Sequence, residues 1–243
     1  MSGIGSARAA VGMPRPPHDA TLHRMRRRAT HVIFDMDGVL LDTEGIYTQA
    51  TQLIVGRFGK TYDWSIKGNM IGRPAIDSAR YLVDALSLPI TAEAYLEERA
   101  VLFEELMPAA EAMPGARALT TALAARGIPM AVATSSSRTM YELKTTHHRP
   151  WFASFAAIIL GDDPRVWHGK PAPDIFLVAA DSLAAAPADC VVVEDAPAGV
   201  EAARAAGMRV VAVPDQGMDR ARFVQADLVV ASLADLDIDT LLD

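Results

Sequence analysis

The chain has 243 residues, 51% hydrophobic and 22% charged, with a formal net charge of −7. These proportions exclude disorder throughout and suit a globular protein with one good core, or one core and a smaller domain. No apolar run approaches the roughly 20 residues that span a bilayer, which excludes an integral membrane protein, and the single Cys190 excludes an internal disulfide and reads as a buried thiol in a reducing, cytoplasmic setting.

Residues 1–28 differ from the rest: Arg8, Arg15, Arg24, Arg26, Arg27 and Arg28 face one acid, Asp19, amid Gly, Ala and Pro. They read as a disordered extension or an organelle-targeting segment, with Pro14, Pro16 and Pro17 interrupting any early helix and no apolar stretch of the secretory kind. Removing these six arginines and one aspartate takes the formal charge from −7 to −12. Such a surface argues against nucleic acid as a partner, whereas a small anion can bind where a cation and local donors offset the field.

Val32-Ile33-Phe34 reads as a buried strand that ends in Asp35 and Asp37, followed by Gly38 where the chain can turn. Open α/β sheets bind ligands at that edge. Two acids so close repel each other unless they share a cation or one holds a proton, so the pair fits metal chemistry or paired acid/base work. Alone it also fits a solvated Asp-x-Asp-Gly turn.

The next strand pattern begins near Met130, which leaves residues 35–129 between, far more than one crossover helix requires. Helical patterns at 47–58, 76–86 and 92–106 predict a small helical cap over residues 45–108, set on the catalytic edge of a core formed by 29–44 and 109–243. A cap there excludes water and selects the substrate by shape; a decoration that only adds stability is the alternative. Strand patterns at 129–133, 156–160, 190–193, 209–213 and 227–230 then alternate with helical patterns at 117–126 and 197–206, each stopped by a glycine, Gly127 and Gly207. Alternation of this kind predicts an α/β fold with a doubly wound, mostly parallel sheet.

Three further strand ends carry polar groups. Thr134-Ser135-Ser136-Ser137 offers hydroxyls and backbone N–H groups before a helix, an arrangement that binds anions and that also serves as an ordinary helix cap. Lys170 sits in Gly169-Lys170-Pro171-Ala172-Pro173, where two prolines stiffen the segment and reduce the ordering needed to aim a flexible cation at a phosphate. Glu194-Asp195 is a second acidic pair at the end of a second buried strand. Four carboxylates at two neighbouring strand ends call for a hard cation, and oxygen ligands of this kind suit Mg²⁺; zinc is disfavoured because no His or Cys cluster accompanies them. His147 and His148 are adjacent amid polar neighbours and read as a solvated loop, as does His168.

Asp35-x-Asp37-Gly38-Val39, Thr134, Lys170 and Glu194-Asp195 occur in the order of the four motifs of the haloacid dehalogenase superfamily of phosphatases, which the chain resembles over about residues 30–232. Within it, the stretches Ile128 to Ser136, Gly161-Asp162-Asp163-Pro164, His168-Gly169-Lys170-Pro171 and Glu194 to Glu201 look most like the pseudouridine-5'-phosphatase branch. The resemblance implies a Rossmann-like sheet with a helical cap after the first motif, and a Mg²⁺-dependent phosphomonoesterase acting on a small phosphorylated metabolite. It makes Asp35 the nucleophile that becomes an aspartyl-phosphate, and Asp37 the acid that protonates the leaving alcohol and then the base that activates water. It gives Mg²⁺ the Asp35 and Asp195 carboxylates and the Asp37 backbone carbonyl as ligands, with Thr134, the Ser135 amide and Lys170 on the phosphoryl group. For Glu194 two roles stay open: holding a metal-bound water, or orienting Lys170.

The rival within the enzymes is a phosphosugar mutase of the β-phosphoglucomutase type, or a phosphatase of sugar or polyol phosphates. A mutase cap carries an arginine for the far phosphate; in Gly72-Arg73-Pro74-Ala75, Ala75 falls at that position and Arg73 lies close by. A signalling receiver domain is shorter and has no helical insert, and a non-catalytic relative is expected to have lost one of Asp35, Asp37, Lys170 or Asp195. A monomer without a nucleic-acid or membrane partner is expected.

Overall fold

The computed structural model describes Met1 and residues 28–70 and 75–243. Most of the arginine-rich segment and Gly72-Arg73-Pro74 of the mutase comparison lie outside the described residues. In chain order, β1 (His31–Phe34) leads through a two-residue strand, β2 (Leu41–Asp42), into four helices. These are α1 (Glu44–Gly56), α2 (Trp64–Met70), α3 (Ala75–Leu86) and α4 (Ala92–Leu106), after which the chain returns through β3 (Glu111–Ala112). The remainder alternates: α5 (Ala116–Ala125), β4 (Met130–Ala133), α6 (Arg138–Lys144), α7 (Arg149–Phe152), β5 (Ala157–Ile159), α8 (Asp174–Ser182), β6 (Cys190–Glu194), α9 (Pro197–Ala205), β7 (Arg209–Ala212), β8 (Leu228–Val229) and α10 (Ile238–Leu242).

Six strands form one parallel sheet in the order β5-β4-β1-β6-β7-β8, with β1 flanked by β4 and β6. Helices cover both faces, so the strands are apolar on both sides and read as continuous runs rather than alternations. Val32 and Phe34 join Leu119, Leu123, Trp151, Phe152 and Leu241 on one face. Ile33 and Val192 join Phe176, Ala179, Val200 and Ala203 on the other. The α/β doubly wound architecture expected from the alternating patterns is the one observed. No helix among the described residues is long and apolar enough to cross a membrane.

The helices between β2 and β3 pack around apolar side chains of their own, including Ile54, Val55, Leu82 and the fully buried Tyr95. A smaller cluster of Ile46, Ala50, Phe103 and Met107, with Met140 and Leu143 of α6 against it, joins them to the sheet-bearing part. β2 and β3 pair antiparallel, Leu41 opposite Ala112. This ribbon is too short for any period-two pattern to show in the sequence.

One expectation is corrected. His148 is buried, not a solvated loop residue: its Nδ1 lies 2.6 Å from Arg117 and its Nε2 2.7 Å from the Ala110 carbonyl. Both ring nitrogens are bonded within the protein, and Trp151 packs edge-on against the ring at 5.8 Å. The polar neighbours that suggested solvent include Thr145, which is itself buried.

Candidate functional site

The sheet order brings the ends of β4, β1 and β6 side by side, and each end carries functional groups. The ladder extends one step beyond the strands: the Asp35 amide donates to the Val193 carbonyl at 2.9 Å and the Thr134 amide to the Ile159 carbonyl at 3.0 Å. Groups fixed to a rigid edge in this way hold a geometry better than groups on a free loop. Asp35, Asp37, Tyr47, Ser135, Ser136, Lys170, Glu194 and Asp195 line one cleft of about 710 Å³.

Lys170 reaches into this edge from the loop before α8. Its Nζ donates to Asp35 Oδ1 at 2.5 Å, to Glu194 Oε1 at 2.6 Å and to the Ala133 carbonyl at 3.2 Å. Three protons meet three acceptors. Burial disfavours the Lys170 cation, but the charges of Asp35 and Glu194 outweigh it and raise its pKa above the usual lysine range. Burial pushes the Asp35 carboxyl upward, Lys170 pulls it back, and the charges of Glu194 and Asp37 leave it raised to about 7.

Glu194 is 1% exposed and fully engaged, since its second oxygen accepts from the Asp195 and Ala196 amides at 2.9 Å each. A Cβ on Gly199 would stand 1.8 Å from Glu194 Oε1, so the glycine makes the space that this carboxylate occupies. Of the two roles left open for Glu194, the geometry supports orienting Lys170.

Asp195 differs from its neighbour. Burial, then the charges of Glu194, Asp35 and Glu44, outweigh the opposing Lys170 charge and push its carboxyl well above the ordinary range. Its Oδ2 lies where a Cβ of Gly38 would come within 2.3 Å, and Gly38 adopts a φ of +76°. Among the described residues no three His, Cys, Asp or Glu side chains converge as a metal-binding group. The Asp35 and Asp195 carboxylates line the same cleft, and Mg²⁺ keeps several waters and needs only one or two carboxylates from the protein. Three carboxylates, Asp35, Glu194 and Asp195, gathered around the single Lys170 cation in this cleft fit a further cation.

Asp37 turns the other way. Its Oδ1 accepts from Lys144 Nζ at 2.5 Å and Thr43 Oγ1 at 2.7 Å, and its Oδ2 from Ser136 Oγ at 2.9 Å and Thr134 Oγ1 at 3.2 Å. Burial raises the Asp37 carboxyl, but the Lys144 charge and these hydrogen bonds outweigh it and hold the group below the usual carboxylate range. The two acids of the first motif therefore sit in opposite environments, one raised and one lowered. Separated values of this kind mark a division of labour between paired carboxylates.

Thr134 is fully buried, and its hydroxyl also accepts from the Ser136 amide at 3.0 Å. Ser135 is exposed on the cleft wall. Ser137 is the N-cap of α6 and accepts from the Met140 amide, so both meanings of the serine run apply, at different residues. His168 is exposed on its loop, with Nδ1 3.4 Å from Asp174. Sequence reasoning missed Thr43, Tyr47, Ser136 as a partner of Asp37, and above all Lys144, a 1% exposed cation that belongs to none of the motifs. The available signal was weak, because a lysine in the last turn of a helix usually lies in solvent beside the free carbonyls.

A family model described as haloacid dehalogenase-like hydrolase matches residues 29–207. Over 215 residues the chain is 46% identical to (DL)-glycerol-3-phosphatase 1, mitochondrial, of Arabidopsis thaliana, covering 86% of this chain and 72% of that protein. It is 45% identical over 216 residues to the probable pseudouridine-5'-phosphatase of Drosophila melanogaster, covering 88% and 94%. Among solved structures, a HAD family hydrolase from Deinococcus radiodurans R1 with bound phosphate and sodium superposes with a TM-score of 0.73 at 27% identity, covering 86% of this chain and 93% of that one.

Proposed function

Since the chain belongs to the haloacid dehalogenase-like hydrolases and is a phosphatase of small phosphorylated molecules, we propose that it works through Asp35 as nucleophile and Asp37 as proton carrier, with Mg²⁺ as cofactor. The observation that carries the reading is the Asp35–Lys170–Glu194 chain of contacts at 2.5 and 2.6 Å on the central strand edge.

In the first step an Asp35 oxygen forms a bond to phosphorus as the ester P–O bond breaks, and the leaving oxygen takes a proton from Asp37, which is ionised in the free protein and takes up that proton when the anionic substrate enters beside it. In the second, water attacks the phosphorus of the aspartyl-phosphate and gives its proton to Asp37. Inorganic phosphate leaves and the Asp35 carboxylate is regenerated. Lys170 offsets charge on Asp35 and on the transferring group, the Ser135 amide is assigned to a phosphoryl oxygen, and Thr134, whose hydroxyl donates to Asp37 in the free protein, is assigned to another after turning from that carboxylate. The Asp35 and Asp195 carboxylates and the Asp37 backbone carbonyl would hold Mg²⁺. When bound, that ion neutralises phosphate charge so that a carboxylate can approach a dianion. The helices over 45–108 are proposed as a cap that shapes the leaving-group side of the cleft, and the proposed location is the cytoplasm.

Pseudouridine 5'-phosphate is the proposed substrate, supported by the 45% identical relative that carries that name; the glycerol-3-phosphatase relative supports a polyol phosphate as the second reading. A screen for phosphate release over pseudouridine 5'-phosphate, glycerol 3-phosphate and hexose phosphates, with Mg²⁺ or with EDTA, tests both. Release from the first, lost with EDTA and in Asp35→Asn, is the expected result. Isomerisation of a hexose phosphate without free phosphate would replace this reading with a mutase.

A further inference from the structure

Lys144, 1% exposed, is a buried cation at the cleft that the chemistry above does not use. Taking an ammonium out of water costs several kcal/mol unless its partners are well placed. Here the three protons of Nζ meet Asp37 Oδ1 at 2.5 Å, Ser136 Oγ at 2.8 Å and Tyr47 Oη at 3.2 Å. Each acceptor belongs to a different part of the molecule: the turn after β1, the turn after β4, and helix α1 of the insertion. Ser136 accepts from Lys144 and donates its own proton to Asp37. Thr43 and Thr134 complete the ring of donors around the carboxylate, and Lys144 is the one cation among them.

Hydroxyl donors alone leave a short carboxylate free to rotate between nearby positions. A buried ammonium adds a charge-assisted bond, roughly twice as strong as a neutral one, and fixes one orientation. The third contact extends this control. Tyr47 packs edge-on against Phe103 of α4, centroids 4.7 Å apart at 90°, so its hydroxyl moves with the inserted helices. Asp37 and Tyr47 line the same cleft.

We propose that Lys144 is a positioning residue for the phosphatase reaction: it aims the Asp37 carboxyl away from Asp35 and toward the leaving oxygen, and through Tyr47 it ties that aim to the inserted helices. The proposal rests on Asp37 being the group that protonates the leaving alcohol. It makes a demand that a merely structural lysine does not. The cost of losing Lys144 must depend on how badly the leaving group needs a proton.

The test compares kcat/KM on an alkyl monoester, whose alkoxide must be protonated, with p-nitrophenyl phosphate, whose phenolate leaves unaided. Lys144→Met is expected to lose about 100-fold on the alkyl ester and less than about fivefold on the aryl ester, because proton donation of this kind is worth at least that much where it is required. Tyr47→Phe removes one oxygen from the network and leaves the ring packing in place; it is expected to show the same selective loss at smaller size, and it decides the matter if Lys144→Met does not fold. Equal losses on both esters, or none, would overturn the proposal. Asp37→Asn separates the two levels of the argument. Selective loss there but not in Lys144→Met or Tyr47→Phe removes the role of Lys144 alone, whereas its absence in Asp37→Asn removes the acid role of Asp37 and the proposal with it.

Discussion

Replacing Asp35 by Asn changes the pH dependence of stability in a way that the site geometry sets. In the protein without divalent ions the Asp35 carboxyl is raised from 3.8 to about 7, first by burial and then by the charges of Glu194 and Asp37 acting against Lys170. A group raised on folding contributes stability that is full below its unfolded value and lost as pH rises through the folded one. Between pH 4 and 7 the unfolded chain gives up this proton while the folded one keeps it, so the wild type loses about 1.4 kcal/mol per pH unit relative to a chain without the group. The carboxamide of Asp35→Asn keeps an oxygen for Lys170 and cannot ionise. Urea denaturation in EDTA is therefore expected to show Asp35→Asn gaining on the wild type by about 2 kcal/mol from pH 5 to pH 7, and levelling off above pH 7. With Asp35 as the proposed nucleophile, the variant is expected to have no turnover at any pH. A stability difference that stays flat with pH, or that falls as pH rises, would refute the claim that this carboxyl is raised by its surroundings.

Three other outcomes follow from the same contacts. Added Mg²⁺ is expected to raise Tm, by the equivalent of about 2.7 kcal/mol at a hundredfold excess over Kd; the shift is larger at pH 7.5 than at 5.5, because protons compete for Asp35 and Asp195, both raised by burial. Gly199→Ala places a methyl group 1.8 Å from Glu194 Oε1, and the forced retreat of Glu194 from Lys170 is expected to cost about 2 kcal/mol in urea denaturation and about tenfold or more in kcat. Tyr95→Phe deletes a buried hydroxyl bonded to Thr51 at 2.9 Å; a loss of about 1–2 kcal/mol with kcat unchanged is expected, and a large kcat effect would mean that the inserted helices transmit strain to the cleft.

The sheet and both acidic pairs were legible because their cause is local. A strand buried on both faces must be apolar throughout, so Val32-Ile33-Phe34 and Val191-Val192-Val193 announce themselves, and the acids at their ends stand out against that background. Lys170 was legible through its stiff Gly-Lys-Pro setting. Lys144 was not, because its burial is decided by Asp37, Ser136 and Tyr47, which approach it from 107, 8 and 97 positions away in the chain. Nothing in Glu142-Leu143-Lys144-Thr145 distinguishes it from an exposed helix end. His148 was misread for the same reason, since Arg117 and the Ala110 carbonyl that bury it lie 31 and 38 positions away.

The two-residue ribbon in which Leu41 faces Ala112 bears on how such an enzyme can change its taste in substrates. Both ends of the long excursion leave the sheet-bearing part through adjacent rungs, so the gap that any replacement must bridge is about one strand spacing, near 5 Å. The sheet does not sense how many residues hang between those rungs. A different four-helix cassette, or a shorter loop, can be spliced there without altering the register of β1 against β4 and β6, and the carboxylates would keep their places while the cover above them is exchanged.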